Sequence, residues 1–188
     1  VGFSHAWGEY KGGRWNRFEK IYPLDEGDSA AIRENIEGVK DIATIYETWG
    51  GGKVRYGNTS ITGVQLSGCS ENYHSIQGIS IAEGRFVEAG DNVNALPVAV
   101  LSSKLKEDLF AAEEPIGKEI VVAARDRAAM ETIVPEVRFI VVGWIKPRGA
   151  SNKDERMRLF IPITTARYRL LGFTPWSGLD ILVQAKST

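Results

Sequence analysis

The side chains able to do chemistry are few and far apart. His5 and His74 are the only histidines and Cys69 is the only cysteine. Neither histidine lies in an HExxH, CxxC or DxDxD pattern, the spacings that bring several ligands to one ion. A single thiol forms no internal disulfide. Ser70 and Glu71 beside it bring no positive charge that would activate it, so Cys69 is expected as a small residue in a turn. Ser102-Ser103 lacks the GxSxG elbow that presents a nucleophile and reads as a helix cap. The carboxylate pairs Glu113-Glu114 and Asp154-Glu155 lie in polar loops and read as solvated charge rather than a glycosidase acid and base. Gly50-Gly51-Gly52 has neither Gly-Lys-Ser/Thr nor a helix after it, so it is a turn and not a phosphate loop. No catalytic, metal-binding or cofactor-binding residue is assigned, and no cofactor is expected. The residual enzymatic alternative is a triad assembled around His5 or His74 from distant positions.

The chain has 188 residues, enough for one domain or two small intimate subdomains. With 23 basic and 24 acidic residues it shows no bias toward nucleic acid or an anionic membrane. The longest apolar run, 139–145, is seven residues, far below the roughly 20 that span a bilayer. The chain starts at Val1 with no basic segment followed by an apolar one, which reads as a piece excised from something longer.

Residues 1–18 form an irregular, aromatic lead-in. A helix is expected from about Asp25 to Glu37, with Ile32 and Ile36 on one face and Gly38 just past its end. Period-two patterning then predicts strands at 42–49, 53–56 and 60–66, with turns at 50–52 and 57–58. The stretch 76–110 follows: a glycine-punctuated turn ending in Glu83-Gly84-Arg85-Phe86, a polar loop, a strand at 98–101 and an amphipathic helix. That helix buries Leu105, Leu109 and Phe110 and wets Lys104, Lys106, Glu107 and Asp108. Beyond the Pro115-Ile116-Gly117 turn, strands are expected at 118–122, at 137–145 (buried on both faces), at 158–163 and at 178–184. Thr164-Thr165 is expected to cap a short helix at 166–171. Eight or nine strands and about three short helices, with the strands gathered in hairpins, predict an α+β fold with mixed or antiparallel sheets.

Read in order, ITGVQLSGCSENYHSIQGISIAEGRF, PVAVLSSKLKEDLF, PIGKEIVV, VRFIVVGWIKP and RLFIPITTA make a pattern. It resembles the extracytoplasmic domain of MacB/FtsX-like ABC transporter permeases. The matching positions are Gly63, Tyr73, Gly84, Arg85, Phe86, Val98, Leu101, Leu109, Phe110, Pro115, Gly117, Val142, Gly143 and Pro162. The likeness covers about residues 25–186. Two departures are that Ala111 stands where glycine is common and that 125–136 is longer than the usual hairpin.

The resemblance implies a Porter-like subdomain from residues 1–84 and 151–188 and a Sabre-like subdomain from 85–150, with Gly84, Arg85 and Phe86 as the hinge between them. It implies a non-catalytic domain at the periplasmic face of the bacterial inner membrane, anchored by membrane helices outside this chain, with both chain ends reaching one bilayer surface. It would pass ATP-driven motion to a periplasmic adaptor or to lipoprotein or peptide cargo. Its partners would be a second permease copy and a cytoplasmic ATPase, with no nucleic acid, and the isolated domain would be a monomer. The competing reading is a secreted ligand-binding module that stacks its ligand on Trp7, Trp15, Trp49 or Trp176.

Overall fold

The β-branched and aromatic runs of the sequence become strands, and the way those strands pair decides everything else. In the computed structural model, the described residues are 2–3, 8–11, 14–17, 24, 26–47, 51–124, 136–147, 157–171 and 179–186. They form β1 (Gly2–Phe3), β2 (Gly8–Lys11), β3 (Arg14–Arg17), α1 (Glu26–Asn35), β4 (Val39–Glu47), β5 (Gly52–Tyr56) and β6 (Thr59–Cys69). Next come α2 (Tyr73–Ile76), β7 (Ile81–Gly84), α3 (Ala89–Val93), β8 (Val98–Leu101), α4 (Ser103–Phe110), β9 (Glu119–Ala124) and β10 (Val137–Ile145). The chain continues with β11 (Arg158–Pro162), α5 (Ile163–Thr165), a π-helical turn at Ala166–Leu171, and β12 (Leu179–Ala185). The fold is α+β.

Ten of the strands share one sheet, and β2–β3 is a separate hairpin. Within the large sheet the pairings β6–β11–β8–β10–β9–β5 return to β6, so six strands form a closed ring. Two long strands, β6 with 11 residues and β10 with 9, pair both inside and outside this ring. β6 gives its first half to β5 and its last residues to β4 along one edge, with β11 on the other. β10 likewise divides one edge between β9 and β7 and gives the other to β8. Outside the ring, β4 carries β12, and β12 carries β1.

The ring encloses a core that includes Val54, Leu66, Leu101, Phe139, Leu159 and Ile161. α4 adds Leu105, Leu109 and Phe110 to it, and the turn at Ala166–Leu171 adds Ala166 and Leu170. Ser102 caps α4 as expected: its Oγ accepts from Leu105 N at 3.3 Å and also from Arg158 N at 3.0 Å. A second cluster, with Ala43, Ile45, Tyr73, Phe86 and Phe160, lies outside the first.

Several expectations change. The strands do not simply pair as hairpins, because β6–β11 and β8–β10 are parallel. β10 is not buried on both faces. Phe139 and Val141 point into the core while Arg138 and Ile140 face out, the alternation of a ring strand with one wet side. Cys69 is not in a turn but ends β6, fully buried. Thr164 and Thr165 do not cap the following turn. Their hydroxyls donate instead to the carbonyls of Asn92 (2.7 Å) and Leu96 (2.8 Å). α1 stops at Asn35, short of the expected end, and leaves Ile36 exposed. The strand β7 and the helix α3 stand where a turn and a polar loop are expected. Residues 125–135, His5, Trp7, Trp49, the Asp154-Glu155 pair and Trp176 lie outside the described residues, and of Trp15 only the backbone is described.

α4 ends in a backbone that suits glycine. Ala111 has φ +50° and ψ −114°, a region that costs a side-chain-bearing residue about 1–3 kcal/mol. Ala111→Gly is expected to raise stability by about 1 kcal/mol after the entropy of glycine is subtracted, read as a higher urea midpoint at unchanged slope.

Candidate coupling site

The stretch singled out by its sequence, Gly84-Arg85-Phe86, leaves the end of β7 pressed against β10. Gly84 sits opposite Gly143 with φ +75°. A Cβ on Gly84 would collide with the Val142 carbonyl, and one on Gly143 with the Arg85 carbonyl. Only a pair of glycines lets the two backbones meet here. Arg85 N then donates to Val142 O at 3.0 Å, which extends the contact beyond the strand.

The Arg85 side chain turns toward α3. Its guanidinium grips Asp91 with both arms, Nη1 to Oδ2 at 2.6 Å and Nη2 to Oδ1 at 3.0 Å, and Nη1 also donates to Phe86 O at 3.0 Å. Asp91 is only 3% exposed, and its Oδ2 accepts a further bond from Glu88 N at 2.9 Å. Burial pushes the Asp91 carboxyl up, but the Arg85 fork and the Glu88 N–H outweigh it and hold it below the usual carboxylate value. The Arg85 guanidinium is held charged more firmly by the same partner.

Phe86 points the other way, into the second core cluster, where it is buried. Its ring centroid lies 5.5 Å from Phe160 and 4.9 Å from His74, and Phe160 in turn lies 6.1 Å from Tyr73. Residues from all three stretches of the chain, 1–84, 85–150 and 151–188, therefore meet around one aromatic ring. Asn92, next to Asp91, repeats this with polar bonds. Its Nδ2 donates to Glu71 Oε2 at 3.1 Å, its Oδ1 accepts from Ile163 N at 2.9 Å, and its carbonyl accepts from Thr164. Asp91 and Asn92 were not anticipated. The one signal was Glu88-x-x-Asp91, the spacing of a capping box but without its usual Ser or Thr at the first position.

The remaining reactive side chains stay apart. His74 Nδ1 is 2.8 Å from the Glu71 carbonyl. The Cys69 thiol is pushed up by burial, far from thiolate chemistry. Glu113 joins Lys118 (2.9 Å) and the Tyr56 hydroxyl (2.7 Å) in an exposed cluster that ties the end of β5 to the turn before β9. Among the described residues no group of three His, Cys, Asp or Glu could hold a metal ion, and no helix is long and apolar enough to cross a membrane. The stretch thus brings together two backbones in contact, one ion pair with a buried carboxylate and one shared aromatic cluster.

The fold places the chain in a class of solved domains. It superposes on the periplasmic region of MacB from Actinobacillus actinomycetemcomitans with a TM-score of 0.69 at 22% identity, covering 98% of this chain and 74% of that one. It superposes on the extracellular domain of the transporter YknZ with a TM-score of 0.65 at 19% identity, covering 88% and 74% respectively. The fold is thus the α+β fold of these solved domains. The sequence profile of the MacB-like periplasmic core domain matches residues 4–188, and the chain belongs to that family. It is 30% identical over 177 residues to the macrolide export ATP-binding/permease protein MacB of Marinobacter nauticus, across 93% of this chain. It is 31% identical over 121 residues, or 63% of this chain, to the pyoverdine export ATP-binding/permease protein PvdT of Pseudomonas aeruginosa. The chain spans 24% of the length of the first relative and 16% of the second.

The Asp91 ion pair predicts an acid limb. The folded pKa is below the ordinary 3.8, so the unfolded chain binds more protons in the intervening window. The pair's contribution is therefore complete above that ordinary value and is lost as pH falls through the depressed folded one. Asp91→Asn is expected to cost about 1–3 kcal/mol at pH 7 and to narrow its gap to the wild type as pH falls below about 4. Urea midpoints of both proteins across pH 2–7 measure this.

Proposed function

We propose that this chain is the extracytoplasmic domain of a bacterial ABC transporter permease of the MacB/FtsX-like type. In this reading it is non-catalytic and sits at the periplasmic face of the inner membrane, held there by membrane helices outside this chain. It transmits the motion of those helices, driven by a cytoplasmic ATPase, to an adaptor or cargo. A second permease copy completes the transporter, and the isolated domain is a monomer. The matched relatives are named as ATP-binding/permease proteins for export, which supports export as the task.

One observation carries the reading. β1 lies antiparallel on β12 with Gly2 level with Leu182, so the chain enters and leaves the domain side by side. A domain inserted between two membrane helices needs this arrangement, and a module in which the ends diverged could not be moved by both helices at once.

Within the domain, residues 1–84 with 151–188 are the Porter-like part and residues 85–150 the Sabre-like part. They meet across the β5–β9 and β8–β11 ladders and at Gly84-Arg85-Phe86. Because that joint is tightly packed, we read it as a stiff one that passes force on without a swing of its own. Asp91 and Asn92 brace it.

The test uses the full-length transporter. Phe86→Ala removes a buried ring, a change worth about 3–5 kcal/mol. Asn92→Ala is the gentler companion and keeps the core intact. Both are expected to retain basal ATP hydrolysis and to lose export, measured as the accumulation of a fluorescent or radiolabelled macrolide in a host without its own exporter. Folded variants that export at the wild-type rate, or a purified domain that turns over a substrate by itself, contradict the reading.

A further inference from the structure

Three of the five large apolar side chains that stand exposed among the described residues gather in one place: Val93 at 83%, Leu96 at 39% and Tyr168 at 70%. Hydrogen bonds between distant stretches bring them together. Thr164 Oγ1 donates to Asn92 O, beside Val93, at 2.7 Å, and Thr165 Oγ1 donates to Leu96 O at 2.8 Å. Tyr168 follows Thr164 by about one helical turn and so rises from the same side of the chain. Ile140, a fourth exposed residue, donates its N–H to the carbonyl of Pro97, the residue after Leu96, at 2.9 Å.

The turn that carries Val93 and Leu96 is fixed in advance. Ala95 has φ +46°, a left-handed conformation that costs a residue with a side chain and persists only where its surroundings impose it. Here Ala95 N donates to Asn92 O at 3.2 Å and Leu96 N to Asp91 O at 2.9 Å, while Thr165 holds the Leu96 carbonyl. A surface already ordered loses less conformational freedom when something docks on it. It also joins the stretches 85–150 and 151–188, so an occupant would touch both.

The charge around this patch is one-sided. The Arg167 guanidinium lies 5.6 Å from the centre of the Tyr168 ring, and Arg169 is exposed with no carboxylate partner among the described residues. No Asp or Glu occurs from Leu159 to Leu179. The carboxylates on the α3 side are already engaged, Asp91 and Glu88 with Arg85 and Glu71 with Asn92. Tyrosine and arginine around an apolar centre have the composition of a protein-binding hot spot, and the excess positive charge calls for carboxylates on the partner. A second copy docking through the same patch would set arginine against arginine. Two arginines are also fewer than the roughly 4–8 basic residues that mark an anionic-lipid site.

We propose that Val93, Leu96 and Tyr168, with Arg167 and Arg169 at their rim, form a docking surface for a segment of another protein that carries carboxylates beside apolar side chains. The surface itself rests on the contacts above. That its occupant is the adaptor or cargo of the transporter rests on the function proposed above.

Random peptides displayed on phage and selected against this 188-residue chain test the surface. The recovered peptides are expected to combine Asp or Glu with Leu, Ile or Phe. In fluorescence anisotropy with the synthesised peptides, Val93→Asp and Tyr168→Ala should each weaken binding by about tenfold or more, the effect of losing a hot-spot side chain. Both side chains are exposed, so the fold is expected to stay intact, and Ile36→Asp, at the remaining exposed apolar residue, should leave binding unchanged. Arg169→Glu should weaken an acidic peptide and tighten the same peptide with Lys in place of Glu, a reversal that general stickiness does not produce. No recovered peptide, binding indifferent to Val93→Asp and Tyr168→Ala, or no charge reversal overturns the proposal. So does a concentration-dependent dimer, or binding to phosphatidylglycerol vesicles, that Val93→Asp abolishes, because the occupant is then a second copy or a membrane. In the full-length transporter, loss of export in Val93→Asp with ATP hydrolysis retained supports the adaptor or cargo as occupant. Unimpaired export, alongside peptide binding that behaves as above, overturns that assignment alone.

Discussion

Closure of the ring is the constraint on which the rest of the structure depends. A strand left at a sheet edge presents unpaired N–H and C=O groups, and a barrel removes that edge altogether. Here β6 and β10 are longer than their ring neighbours, so each pairs within the ring and still has an edge left for a strand outside it, β4 or β7. The inward face of the closed sheet then buries Phe139, Leu66, Leu101 and Ile161, with α4 contributing Leu105 and Leu109. Side chains of this size supply about 1.5–3 kcal/mol each when removed from water. Polar bonding therefore need not supply the bulk of the stability, and it appears mainly where parts must be held in register.

Register is the role of α3. It is short and weak as a helix, yet Asp91 holds Arg85, and Asn92 reaches Glu71 on one side and Ile163 on the other. A buried carboxylate is tolerated only when it is fully paired, and the forked guanidinium together with the Glu88 N–H meets that demand. The same bonds fix the direction in which Phe86 leaves β7. The result is a junction with little freedom.

Much of this was legible in the sequence, element by element. The run Val98–Leu101, then Ser102, then leucines at helical spacing could be read directly as strand, cap and amphipathic helix, because each depends on neighbours in sequence. The ordered motifs around Gly84 and Gly143 also pointed to the family. Pairing between distant strands was not legible. Nothing local to Leu159 or Gln65 reveals that β11 runs parallel to β6, and without the ring β10 looked buried on both faces. α3 was missed because its few residues are polar and its partners lie far away in sequence. Ala111 carried a warning that could be read either way: a non-glycine residue stood where a helix end favours glycine, and the backbone there does adopt a positive φ.

The central claim is that a closed six-strand body, with both chain ends side by side on β1 and β12, is carried by membrane helices of the permease proposed above. The most direct measurement is a pair of structures of the full-length protein, one nucleotide-free and one with ATP bound. The account predicts that the six ring strands superpose between the two states and that Gly2 and Ala185 lead into two membrane helices on the same side. A ring that parts between β8 and β11, or chain ends that emerge on opposite faces, would contradict it.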